Sequence, residues 1–177
     1  MNLLLKLANQ IDKLSEWSGR IASLLVLIMA LLITYDVTMR YLFQSGSVAL
    51  QELEWHLFAI IFLLGSAYTL KHDEHVRIDI IYLSRWMSPV RRAYVDLFGS
   101  LFLLIPFAVI IIVYTWPFVF NAYQFNETSP DPGGLPYRFA IKSMIIIGFA
   151  LLVLQGLANA IHNMAIIVSS NKPLKDQ

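Results

Sequence analysis

The chain contains no cysteine, which excludes disulfides, thiolate metal sites and cysteine nucleophiles. Charge is nearly as scarce: 14% of residues are charged, where soluble domains carry about a quarter. The net charge of +1 leaves no basic footprint, so nucleic acid is not an expected partner. Also missing are a glycine-rich phosphate loop, a nucleophile elbow and a metalloprotease motif. Nothing points to an enzyme, and no catalytic residue, cofactor or resident metal is expected. There is no internal repeat and no low-complexity tract.

What is present is apolar. Hydrophobic residues make up 58% of the 177, and the mean hydropathy is +0.64. So little polar surface could not cover a core of ordinary size, and membrane class follows. Crossing ~30 Å of hydrocarbon takes roughly 20 helical residues. Four segments qualify: 21–43, 49–71, 93–120 and 139–168. The spacing predicts an all-α integral membrane protein of four transmembrane helices, forming one membrane domain over 1–177. In the third segment Ser88 is a fitting N-cap with Pro89 at the first helical position. Pro106 and Pro117 are expected to bend that helix without breaking it.

Lysine and arginine set the orientation. Lys6, Lys13 and Arg20 precede the first span, and Lys71, Arg77, Arg85, Arg91 and Arg92 lie around the central loop, 72–92. With Lys172 and Lys175 in the tail, 169–177, ten of thirteen cations fall on one side. Both termini are therefore expected in the cytoplasm, with 121–138 a periplasmic loop. Within 1–20, Lys6, Asn9, Lys13, Glu16 and Arg20 share one helical face, and Leu4, Leu7, Ile11, Leu14 and Trp17 share the other. That pattern predicts an amphipathic helix in the membrane interface, in contact with phospholipid. A cleaved signal is disfavoured: a lead-in of about 20 residues is long, and no small-residue cleavage site precedes Asp36 and Arg40.

Charge within a span costs roughly 2.5–3.5 kcal/mol at the centre and less near the ends. Asp36 and Arg40, four apart, can pair on one face. Glu52 and Glu54 open the next helix at the same level and point nearly opposite ways. One can join Arg40 inside the bundle, leaving the other to reach water, headgroups or another protein. Snorkelling, a structural ion-pair network and an ion path all fit these residues. The last is weakest, since no other helix carries comparable groups near midplane. Gly148, Gly156 and Ala160 form a small-residue stripe, expected to be a packing seam either within the chain or toward another subunit. Gln155 and Asn159 are expected to bond across helices. His72 and His75, beside Asp73 and Glu74, could ligate a cation, but no third ligand stands at a recognisable spacing, so a solvated loop is favoured. His56 and His162 lie toward opposite ends of the spans and cannot share a haem.

Several runs are familiar in this order: Arg40-Tyr41, Glu52-Leu53-Glu54-Trp55, Leu64-Gly65-Ser66-Ala67, His75-Val76-Arg77-Ile78-Asp79, and Gly133-Gly134-Leu135-Pro136 followed by Lys142. Over 21–167 the chain resembles the DctQ-type small membrane subunit of tripartite ATP-independent periplasmic (TRAP) transporters. The resemblance implies two partners: a large, roughly twelve-helix membrane subunit holding the Na⁺ and substrate sites, and a periplasmic binding protein delivering an organic acid. It further implies sodium-coupled symport, a separate small subunit that scaffolds the large one, and residence in the inner (plasma) membrane of a bacterium or archaeon. Under it, Asp36, Arg40, Glu52, Glu54, His75, Arg77, Asp79 and Lys142 are candidates for a subunit or structural network, and 133–136 for a docking loop. Lys71-His72-Asp73-Glu74-His75 carries more charge than the family pattern, leaving the roles of His72 and Asp73 open. Two other classes remain: the membrane anchor of a quinone-linked oxidoreductase, and a self-contained small carrier.

Overall fold

The computed structural model describes residues 2–74 and 87–170, and among them no strand occurs. The elements are α1 (Asn2–Leu42), α2 (Val48–Lys71), α3 (Pro89–Phe98), a π-helical turn (Gly99–Leu104), α4 (Ile105–Gln124) and α5 (Phe139–Ser170). From α3 to α4 the helix is continuous over Pro89–Gln124, giving four helices long and apolar enough to cross a membrane.

Local signals explain the ends of the third helix. Ser88 Oγ accepts the Arg91 N–H at 3.3 Å, and Pro89 occupies the first turn, where a missing N–H costs nothing. The helix passes both prolines without interruption. Just before Pro106 it widens into the π turn, where the Ile105 N–H donates to the Ser100 carbonyl. A wider turn makes room for the Pro106 ring, which would otherwise crowd the carbonyl of the preceding turn.

The first helix differs from the two-segment expectation. Residues 2–42 form one helix of 41 residues, with no break between 1–20 and 21–43. At 1.5 Å per residue it is about 60 Å long, twice the hydrocarbon thickness. Gly19 sits where a break was available, yet it serves packing instead. A Cβ there would overlap the Tyr68 ring of α2.

Consecutive spans run antiparallel, so α1 begins, α2 ends and α5 ends at one pole, here termed basal. The 43–47 and 125–138 connections lie at the opposite, apical pole. α1, α2 and α5 pack on one another. The third helix packs on α5 and makes no comparable contact with α1 or α2 among the described residues. Alanine dominates the buried apolar set: Ala8, Ala22, Ala67, Ala93, Ala108, Ala122, Ala158 and Ala160. Large side chains face out, as with Leu31, Phe62 and Leu103. A soluble protein would bury those and expose less. In lipid the outside is as apolar as leucine, so helices associate by close backbone approach over small residues.

Candidate functional site

The polar side chains gather at the two poles. At the basal pole Gln155, wholly buried, is the hub. Its side-chain oxygen accepts from Ser15 Oγ at 2.6 Å, and its Nε2 donates to Asp12 Oδ1 at 2.9 Å and Asn159 Oδ1 at 3.0 Å. Asp12 Oδ2 lies 2.8 Å from His162 Nε2, and Asn159 Nδ2 donates to the Leu70 carbonyl at 3.4 Å. One turn away, Glu16 Oε2 accepts from Lys71 Nζ at 2.7 Å and lies 3.1 Å from His72 Nε2. Ser18 Oγ donates to the carbonyls of Ser15, at 2.8 Å, and Leu64, at 3.1 Å. Together these contacts bind the start of α1 to the ends of α2 and α5.

The sequence predicts bonding across helices by Gln155 and Asn159 but not the partners Asp12 and Ser15, nor the reach of Ser18 to the Leu64 carbonyl. A signal for them existed: Ala8, Ser15, Ser18 and Ala22 form a small-residue stripe that continues into the apolar part of α1. Since interhelical hydrogen bonds in membranes average about 0.6 kcal/mol, Gln155→Ala, which removes two of them, to Ser15 and Asp12, is expected to destabilise by about 1 kcal/mol. The check is a thermal melt of the protein in mild detergent. An unchanged midpoint would refute the hub.

At the apical pole Asp36 and Arg40 pair one turn apart, with Asp36 1% exposed and the Arg40 side chain 40% exposed. Asp36 Oδ1 is buried without a hydrogen-bond partner, as is Glu54 Oε1. Glu52, 3% exposed, does not join Arg40. It accepts from the Ser129 hydroxyl and, at 2.6 Å, from the Leu135 N–H. Of the two glutamates, Glu52 is thus not one that joins Arg40; it clamps the 125–138 connection instead. The physical reason is that this connection folds back over the start of α2 and brings donors closer than Arg40 can.

The connection is itself compact. Ser129 N–H bonds the Leu135 carbonyl at 3.1 Å, Gly134 N–H the Asp131 carbonyl at 3.0 Å, and Arg138 N–H the Glu127 carbonyl at 2.9 Å. Gly133 sits at φ +80°, a conformation that favours glycine. A Cβ on Gly134 would press on Ser129 and on the Glu52 carboxylate. Pro136 lies exposed beside Leu135 at the foot of the turn. Lys142 pairs with Glu127 and stands 3.8 Å over the Phe118 ring, so its partners lie within the chain.

The small-residue stripe divides between neighbours. Gly148 faces Leu63 of α2, Gly156 faces Leu104 and Ile105, and Ala160 is buried. His75, Arg77 and Asp79 lie outside the described residues, as do Lys172 and Lys175. No cluster of three metal-ligating side chains occurs among the described residues.

A small permease protein of a TRAP transporter from Haemophilus influenzae is 26% identical over 126 residues, covering 71% of this chain and 76% of the relative. The family profile described as tripartite ATP-independent periplasmic transporters, DctQ component, matches residues 29–165. That match spans the apolar part of α1 through most of α5. With four membrane-length helices, this is a multi-pass protein of the bacterial inner membrane and a transporter component. The chain belongs to the DctQ component family of tripartite ATP-independent periplasmic transporters.

Proposed function

We propose that this chain is the non-catalytic scaffold of its transporter, holding a large ion-coupled membrane subunit and helping to dock a periplasmic binding protein. The observation that carries this reading is the placement of its charges. In the described spans the charged side chains lie toward the poles; the middle of α5 carries one buried amide, Gln155, and its bonds are met within the chain by Ser15, Asp12 and Asn159. A carrier working alone would place polar groups or broken helices near midplane. A scaffold needs a rigid apolar exterior, and the outward stripe Trp55, Phe58 and Phe62 on α2 supplies part of one.

The lysine and arginine bias puts the basal pole in the cytoplasm, with both termini inside. Residues 1–20 then meet the cytoplasmic interface and its phospholipid headgroups, and the clamped 125–138 connection faces the periplasm. The cargo class is an organic acid taken up with sodium, on family grounds.

Affinity purification of the tagged chain from native membranes in mild detergent tests the scaffold reading. The expected companion is one large multi-helix subunit in near-equal amount. Recovery of the chain alone, or with flavin and iron–sulfur subunits and a haem absorbance, would overturn it. Docking has its own test. Gly134→Val should reduce uptake when binding protein is limiting and leave uptake near normal when it is in excess. Normal uptake under both conditions would remove the docking role.

A further inference from the structure

The bonds that tie the start of α1 to the basal pole use one side of the helix. Asp12, Ser15, Glu16 and Ser18 turn toward α2 and α5, and Ala8 and Ala22 are buried with them. The outward flank is apolar instead, with Leu3 72% and Leu7 52% exposed, and Leu14 and Trp17 exposed in line with them. These four keep a seven-residue repeat. Leu7 and Leu14 are one repeat apart, Leu3 and Trp17 are two apart, and Gln10 fills the place between that last pair. Beside them Lys6, Lys13 and Arg20, all exposed, recur at the same interval. Apolar residues at alternating steps of three and four, flanked by charge, form the pattern of a coiled-coil seam.

From this placement we infer that the outward flank of α1 is a coiled-coil seam for a long helix of the large membrane subunit. That helix leaves the bilayer at the basal pole and carries carboxylates opposite Lys6 and Lys13. The inference rests on the scaffold reading and says where on this chain the large subunit is held.

Length excludes lipid as the cover. From Arg20 to Arg40 the helix rises about 30 Å, the thickness of the hydrocarbon core. Leu7 then stands about 20 Å past the core and Leu3 about 25 Å, against a headgroup layer of roughly 5–8 Å. The average tilt of ~20° shortens these distances only slightly. Headgroups therefore reach Trp17 and Arg20 but leave Leu3 and Leu7 uncovered. Nor can this segment lie down in the interface. It is continuous with the span, and Asp12 and Glu16 hold it against His162 and Lys71. An apolar flank rimmed by charge and standing in water marks a contact with protein.

Continuity excludes a soluble partner. Past Trp17 the stripe runs on through Leu24, Ile28 and Leu31, exposed and in the same register. Its cover must cross the membrane border as α1 does. Charge then selects the facing side. The carboxylates of Asp12 and Glu16 are engaged inward, and among the described residues no carboxylate pairs with Lys6 or Lys13. Arg20 lies 3.8 Å from Glu16. Acidic residues on a neighbouring helix would satisfy the two lysines, since flanking charges set partner choice in coiled coils.

The test places photoreactive benzoylphenylalanine at Leu7, Leu14 or Trp17 in turn, with exposed Asn9, on another side of the helix, as control. Three positions are used so that one poorly folding variant does not decide the result. The chain is irradiated in native membranes beside its companions, then purified, and crosslinked peptides are identified by mass spectrometry. The seam positions should crosslink to the large multi-helix subunit at least about tenfold more than Asn9, as contact positions of a coiled coil would. Crosslinks to lipid, to a soluble protein or to a second copy of this chain would overturn the inference, as would none at all. In each of those cases the large subunit can still co-purify, which separates failure of the seam from failure of the scaffold. A chain purified without that subunit would overturn both. Charge has its own readout. Lys6→Glu with Lys13→Glu should cut the large subunit retained after a detergent wash about fivefold, as two exposed attractions turned to repulsions would. The melting midpoint of the chain should not move, because neither lysine pairs within it. Retention equal to that of the unaltered chain would overturn the acidic facing side.

Discussion

Replacing Gly148 with leucine is expected to part α5 from α2 and leave no monodisperse protein in mild detergent. A Cβ at this position would lie 2.8 Å from Leu63 Cβ and 3.1 Å from the Leu63 carbonyl oxygen. The second contact is with backbone, so relief requires moving a helix rather than turning a side chain. Overpacking of a tight contact costs about 1–3 kcal/mol even for small additions, and leucine adds three further carbons beyond the Cβ. Gly156→Ala should be milder, because the nearest atom there is the flexible tip of Leu104, at 2.7 Å. Gly65→Ala is the control, with nothing within 4 Å of its new methyl. Size-exclusion profiles after a heating series would rank the three variants. A Gly148→Leu profile matching the unaltered protein would disprove the close approach of α2 and α5.

Glu52→Ala should release the apical connection while leaving the helices assembled. The carboxylate holds two donors from that connection, the Ser129 hydroxyl and the Leu135 N–H. Alanine accepts neither, and the backbone N–H is left in a poorly solvated layer. Hydrogen exchange of amides in 129–135 should accelerate by at least about tenfold, the effect of losing one charge-assisted hydrogen bond. Exchange in the α5 amides around 148–156 should not change. Glu52→Gln, which keeps an acceptor, should fall between the two. If exchange in 129–135 is unaltered in Glu52→Ala, the clamp does not hold this connection in solution.

The spans were readable from sequence because long charge-free runs have few other uses in a chain this apolar. The Ser88–Pro89 start was readable because capping is local chemistry, decided within four residues. Asp36 and Arg40 were readable for the same reason, one turn apart on one helix. The partners of Glu52 were not readable, because they stand 77 and 83 residues away. No local rule says which loop folds back over a helix end, and Arg40 was the nearest candidate by helical level. The Gln155 hub draws Ser15 and Asp12 from 140 and 143 residues off, with equal opacity. Continuity of α1 was hidden differently. An amphipathic helix and an apolar span share the 3.6-residue period, so nothing in the pattern distinguishes a junction from a run-through. The π turn left only a proline as its trace, and a proline alone reads as a bend.

The dependence of the third helix on α5 carries a consequence for biogenesis. Translation delivers Pro89–Gln124 to the bilayer before Phe139–Ser170 exists, and among the described residues that earlier helix makes no extensive contact with α1 or α2. The nascent chain therefore waits with one helix adrift and the Ser15 and Asp12 groups at the start of α1 lacking Gln155. Closure comes late and all at once, when α5 arrives to receive every other helix. A ribosome that stalls before that point leaves an unassembled intermediate, open to capture by insertion chaperones or membrane proteases. The last helix is thus the one on whose arrival the packing of all the others depends.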